Sequence, residues 1–291
     1  MLGRIAARAE EFYDVVAGLW DSFEDDAFRH DKATGVYFDP AKLLALHHEG
    51  KHLKVAGPLN IARPPQGRPV IVQAGASEAG RNLASRIAEV IFSGIRDLTQ
   101  AQEFYADIKA RAAAHGRDPD HLKVLPALSV VTAPTESEAR DKLARLTELL
   151  PPQVALADLS YWLGGFDLSP YPLDGPLPEL PVSNQSHTAQ QQIYEHARRD
   201  NLTIGDLVQR LAADDRTITG TPEQIADHIE EWFQGRAADG FNVTFPYLPG
   251  TLSDFADLVV PELRRRGLFR TQYTGTTLRE HLGLPRPSWR G

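Results

Sequence analysis

Cysteine is absent from the 291-residue chain, which removes disulfides, cysteine-ligated zinc, iron–sulfur clusters and thiol catalysis from consideration. An excess of positive charge is missing too. The 31 Lys and Arg residues stand against 39 Asp and Glu, a formal charge of −8, so a basic face for nucleic acid or anionic membrane is not expected. No apolar run approaches the ~20 residues that a membrane span needs. The opening Met1–Arg8 has no apolar core of secretory-signal length. What the chain does have is 42% hydrophobic and 24% charged residues, the balance of a soluble globular protein with a substantial core. A cytoplasmic protein is the expectation.

Periodicity supplies the outline. Ile5, Ala9, Phe12, Val15, Val16, Leu19, Trp20 and Phe23 recur at helical spacing. Polar, Gly- and Pro-punctuated sequence follows to Pro69, with His52–Val55 alternating as a short strand. Pro69–Gln73, Val90–Phe92, Val124–Val131 and Gly240–Phe245 read as strands, most of them the short apolar runs of a parallel sheet. Helices are expected from Ser77 to Ile87, from a capping box at Thr99–Gln102 to His115, after Thr135, after Thr221 and from Asp254 to Arg266. Pro151–Ser186 is dense in Pro, Gly and Leu. With two short helices near 189–198 and 204–212, it suggests an insertion at about 151–219 before the last strand. Strands alternating with helices imply βα units and an α/β fold. About four such strands are too few to close an eight-stranded barrel.

Four segments carry candidate chemistry. Gln73–Arg81 lies where a strand turns into a helix, and Gly75, Ala76, Ser77 and Gly80 keep its backbone bare. Such a helix start offers N–H groups and a positive dipole end to an anion; an ordinary capped βα turn has the same residues. His48-Glu49-Gly50-Lys51-His52 matches the HExxH zinc signature, but that motif requires a helix and Gly50 disfavours one. A polar turn into a short hairpin competes with the zinc-hydrolase reading through His48 and His52. Tyr247, after the last strand, stands where βα folds carry sites, as a pocket wall or as an aromatic plug. Tyr161, Trp162 and Leu163 face a ligand or fill a local core, the core being expected.

Several motifs together resemble the nitrilotriacetate monooxygenase group of the bacterial luciferase-like flavin monooxygenases. They are Gly57-Pro58-Leu59-Asn60, Gln73-Ala74-Gly75-x-Ser77-x-x-Gly80-Arg81, Tyr171–Pro178, Gly220–Ala226, Asp239–Asn242, Pro261–Arg270 and Leu278–Leu284. The resemblance implies a (β/α)8 barrel using O2 and reduced FMN, the latter from a separate NAD(P)H:flavin reductase, to oxygenate a small organic substrate. It assigns Ser77, with the backbone of Gly75 and Ala76, to the FMN phosphate, and no side chain to acid or base catalysis. Family members begin earlier, and their flavin-contacting His and Tyr align with Leu2 and Ala6. The implied object is therefore a partial barrel lacking roughly its first four strands. An inactive remnant or anion-binding module of the family is the alternative, and homo-oligomer formation is open.

Overall fold

The computed structural model describes residues 2–75, 77–181, 187–212 and 217–289. The chain divides into two compact units: Met1–Ala127 with Glu230–Asn242 and Arg270–Gly291, and Leu128–Ile229 with Val243–Phe269.

In the first unit, α1 (Leu2–Trp20) buries Val15 and Ala17 and leaves Phe12 exposed. Two antiparallel hairpins follow, β1 (Phe28–Asp31) with β2 (Val36–Phe38), and β3 (His48–Glu49) with β4 (Lys54–Val55). The first hairpin is not legible as alternation. It is made by the Asp31 carboxylate, which accepts from Ala33 N and Thr34 Oγ1 at 2.8 and 2.6 Å, and by Phe28 and Phe38 packing on Phe23.

The α/β part begins at β5 (Val72–Ala74), followed by α2 (Glu78–Ile87), β6 (Val90–Ser93), α3 (Leu98–Ala114) and β7 (Lys123–Thr132). The strands pair in parallel, Gln73 with Ile91 and Ile91 with Val124. Ile91, Val124, Leu122, Phe104 and Ile108 form the core between strands and helices. Two expectations are corrected. The cap of α3 is Asp97, whose carboxylate accepts from Gln100 N at 2.9 Å, and Thr99 already lies inside the helix. β5 starts later than Pro69, because Pro69 has no N–H and the Ile71 N–H goes to the Glu89 side chain.

In the second unit the latter half of β7 pairs in parallel with β8 (Thr217–Gly220), Ser129 opposite Thr217. β8 is a polar Thr-Ile-Thr-Gly segment that its composition does not announce. α4 (Glu136–Glu148) has the full Thr135–Glu138 capping box. The irregular stretch contains an unanticipated helix, α5 (Pro152–Trp162), packed with α6 (His187–Arg199) and α7 (Ile204–Ala212) around Leu159, Leu163, Leu168 and Ile204. Ala155, Leu159 and Leu163 take the buried face at helical spacing. The local-core expectation thus holds for Leu163, while Tyr161 and Trp162 point outward at 63% and 39% exposure. Next come α8 (Pro222–Gln234), β9 (Asn242–Thr244), which also pairs β7, α9 (Gly250–Asp254) and α10 (Val260–Arg265). A π turn, Phe255–Val259, precedes Pro261, which cannot donate, and Val260 N reaches back to Phe255 O.

The last segment returns to the first unit through α11 (Leu278–His281). Arg279 is 2% exposed. Its guanidinium meets both oxygens of Glu89, the second at 2.8 Å, and the carbonyls of Arg68, Pro69 and Pro285. Nearby, buried Asp21 accepts from Arg63 and Arg68, and Asp25 from Arg63 and Arg286.

Breaking a buried pair leaves a charge without compensation at about 3–5 kcal/mol. Arg279→Met is expected to lose that much in urea unfolding, and the double variant with Glu89→Leu to recover part of it; a loss under about 1 kcal/mol would contradict the role given to the pair. The Asp25 carboxyl is held at about 2, against 3.8, mainly by its hydrogen bond from Arg286, with burial opposing and Arg63 assisting. Its contribution is present above 3.8 and disappears as pH falls toward 2. Arg286→Gln should lower Tm at about pH 6 and not near pH 2; an equal deficit at both would refute it.

Candidate functional site

The strongest candidate is the turn between β5 and α2. Ser77 is the N-cap, in extended conformation, and its Oγ accepts from Gly80 N at 3.2 Å. A hydroxyl that accepts in this way keeps its own O–H to donate. The first N–H groups of a helix lack intrahelical partners, and together with the dipole they favour an anion there.

Two glycines make the turn bare. A Cβ on Gly80 would lie 3.1 Å from Ser77 Oγ and 3.2 Å from the Gly75 carbonyl oxygen; one on Gly75 would lie 3.0 Å from Gln73 Nε2. Under the turn, Gln73 Oε1 is buried with no hydrogen-bond partner among the described residues. A bare helix start and a hydroxyl free to donate suit a phosphate monoester. Ala76 lies outside the described residues.

Acidic Glu78 in the first turn would oppose an anion, but Arg111 on α3 binds its two oxygens at 2.7 and 3.1 Å. That pairing holds the Glu78 carboxyl below its ordinary value. Arg111 also meets Asp107, which in turn meets Arg81. Arg111, 33 residues further along the chain, thus compensates the negative charge at the helix start.

The other candidates resolve differently. His48 is on β3 and His52 is in the hairpin turn, so they do not share a helix face. The hairpin wraps a carboxylate instead: Glu11 of α1 accepts from His52 N at 2.9 Å and Leu53 N at 2.7 Å and pairs with His48 Nε2 at 3.1 Å. Burial opposes ionisation of Glu11, and these hydrogen bonds outweigh it, lowering its pKa. A side chain at Gly50 would collide with that carboxylate. Among the described residues no three His, Asp or Glu side chains could hold a metal together. Glu11 carries no signal in the sequence beyond the presence of Gly50.

Tyr247 belongs to the second unit. Its main chain is held by Thr251, whose hydroxyl donates to Tyr247 O at 2.6 Å, and its ring lies against Gly250 with 42% exposure. One face therefore plugs the loop and the other is open. Leu2 and Ala6 fall in α1, and their side chains are not among those described. No helix among the described residues is long and apolar enough to cross a membrane.

Residues 3–239 match the model of the luciferase-like monooxygenases. Nitrilotriacetate monooxygenase component A of Aminobacter aminovorans is 52% identical over 97% of the chain and 63% of its own length. N-acetyl-S-(2-succino)cysteine monooxygenase of Bacillus subtilis (strain 168) is 49% identical over 96% of the chain and 64% of its own length. Among solved structures, riboflavin lyase with modified FMN and riboflavin superposes with a TM-score of 0.82 at 37% identity, covering 96% of this chain and 61% of that one. The chain thus spans less than two thirds of the length of these relatives. On sequence, parallel α/β architecture and structural likeness together, the chain belongs to the luciferase-like monooxygenase family.

Proposed function

We propose that this chain forms the phosphate-holding part of an FMN-dependent monooxygenase. In this reading it is a portion of a luciferase-like barrel that works with a separate NAD(P)H:flavin reductase. The observation that carries the reading is the β5–α2 turn, where Ser77, Gly75 and Gly80 leave a bare, capped helix start. Bound reduced FMN would supply the two electrons by which one atom of O2 enters a small organic substrate and the other leaves as water.

The chain's own contribution is to bind and orient. The Ser77 O–H donates to a phosphate oxygen, the N–H groups at the start of α2 surround the charge, and Arg111 keeps Glu78 from opposing it. Tyr247, half-exposed in the second unit, suits a substrate contact. No side chain is given a proton-transfer role, in keeping with chemistry that resides in the cofactor. Self-association has support as well: among the described residues β5 pairs only with β6, and Val72 on it is 62% exposed.

Anaerobic titration with reduced FMN tests the proposal. A hydroxyl bonded to a charged phosphate contributes ~1.5–3 kcal/mol, so Ser77→Ala should weaken binding roughly tenfold or more. Ser77→Gly also lacks the hydroxyl yet costs the cap only a few tenths of a kcal/mol; it should show the same loss with the fold intact. No FMN binding by the unsubstituted chain, or unchanged affinity in both variants, would leave the remnant reading standing.

A further inference from the structure

Helix α5 presents two stripes of large side chains. Ala155, Leu159 and Leu163 turn into the core shared with α6 and α7. Val154, Asp158, Tyr161 and Trp162 recur at helical spacing on a second stripe, and all four are exposed. Asp158 is the only charged residue among the eleven of the helix. A surface helix ordinarily turns a polar, charged face to water, and one that is apolar beyond its core side is covered there as well.

The chemistry of the second stripe is specific. The Tyr161 and Trp162 rings meet edge to face, with centroids 5.6 Å apart and planes at 77°, and so form two walls of a corner. Asp158 precedes them by three and four positions, the spacing that makes side chains neighbours on a helix. It has no ion-pair partner among the described residues. Ring faces beside a carboxylate attract a guanidinium or an ammonium.

The surrounding charge has one sign. Between Leu146 and Ala197 the chain carries Glu148, Asp158, Asp167, Asp174, Glu179 and Glu195, and no Lys or Arg. A second copy does not suit this face, because a twofold pairing would set the acidic patch against itself in a chain of net charge −8. A free small cation does not suit it either, since one exposed cation–π contact is too weak to hold it.

We infer that this stripe of α5 docks a basic protein surface. An Arg or Lys of the partner sits among Asp158, Tyr161 and Trp162, and an apolar residue beside it meets Val154. Tyr and Trp are the side chains that anchor interfaces, and carboxylates around them steer a basic partner. The inference is independent of the proposed flavin site.

A labelled amphipathic helical peptide of Leu and Arg is the probe, and its Leu and Glu counterpart the control, read by fluorescence anisotropy at low and at physiological salt. The Leu–Arg peptide should bind and the Leu–Glu peptide should not. Trp162→Ser and Tyr161→Ser should each weaken binding roughly fivefold or more, with Tm unchanged because both side chains are exposed. Asp158→Asn should weaken binding at low salt and flatten its salt dependence. Glu49→Gln, which removes an exposed carboxylate of β3, should leave affinity within about twofold. Failure of the Leu–Arg peptide to bind, equal binding of both peptides, or unchanged affinity in Trp162→Ser and Asp158→Asn would overturn the inference. So would a dimer of the unsubstituted chain, seen in sedimentation, that Trp162→Ser dissociates, since it would give the face to a second copy.

Discussion

The pairing of Glu89 with Arg279 is the constraint on which the first unit depends. Glu89 stands just before β6. Its side chain accepts from Ile71 N, ahead of β5, and its carbonyl accepts from Lys123 N at the start of β7. Arg279, from 190 residues further on, meets that carboxylate and the carbonyls of Arg68 and Pro69. One buried ion pair therefore indexes the entry of three parallel strands to one another. Because β5 is only three residues long, fixing its entry also fixes where it ends. The site turn begins there. Such a pair adds little stability over an apolar replacement, but a half-broken one is costly, which makes the register specific.

In the proposed function, a chain of net charge −8 would hold an anion by local means. The helix start contributes oriented N–H groups, glycine lets them be approached, and Arg111 engages Glu78 at the side of α3. In the proposed function, dipoles and a hydroxyl would hold the phosphate and leave the redox chemistry to the flavin. This fits a family whose proteins are monooxygenases acting on dissimilar small molecules.

Much of the α/β skeleton is legible in the sequence because local signals agree there. The Thr135–Glu138 capping box, the apolar run Val90–Phe92 and Pro222 at a helix start each state their element within a few residues. Reading falters where the signal is long-range or chemically muted. β8 is mostly threonine and pairs with a strand far earlier in the chain. Asp97 outcompetes Thr99 as a cap because its backbone is already extended. The HEGKH segment advertises zinc, yet its chemistry is a hairpin closing on Glu11. The turn Gly75–Ser77 is visible as a motif. The unpartnered Gln73 Oε1 beneath it is not, since that depends on what the fold places around it.

The central claim is that phosphate is bound at the start of α2. A crystal structure of the protein with FMN tests it most directly. A phosphate oxygen should lie within hydrogen-bond reach of Ser77 Oγ and the first N–H groups of α2. Flavin density placed elsewhere, or a phosphate projecting into solvent away from Ser77, would contradict the account.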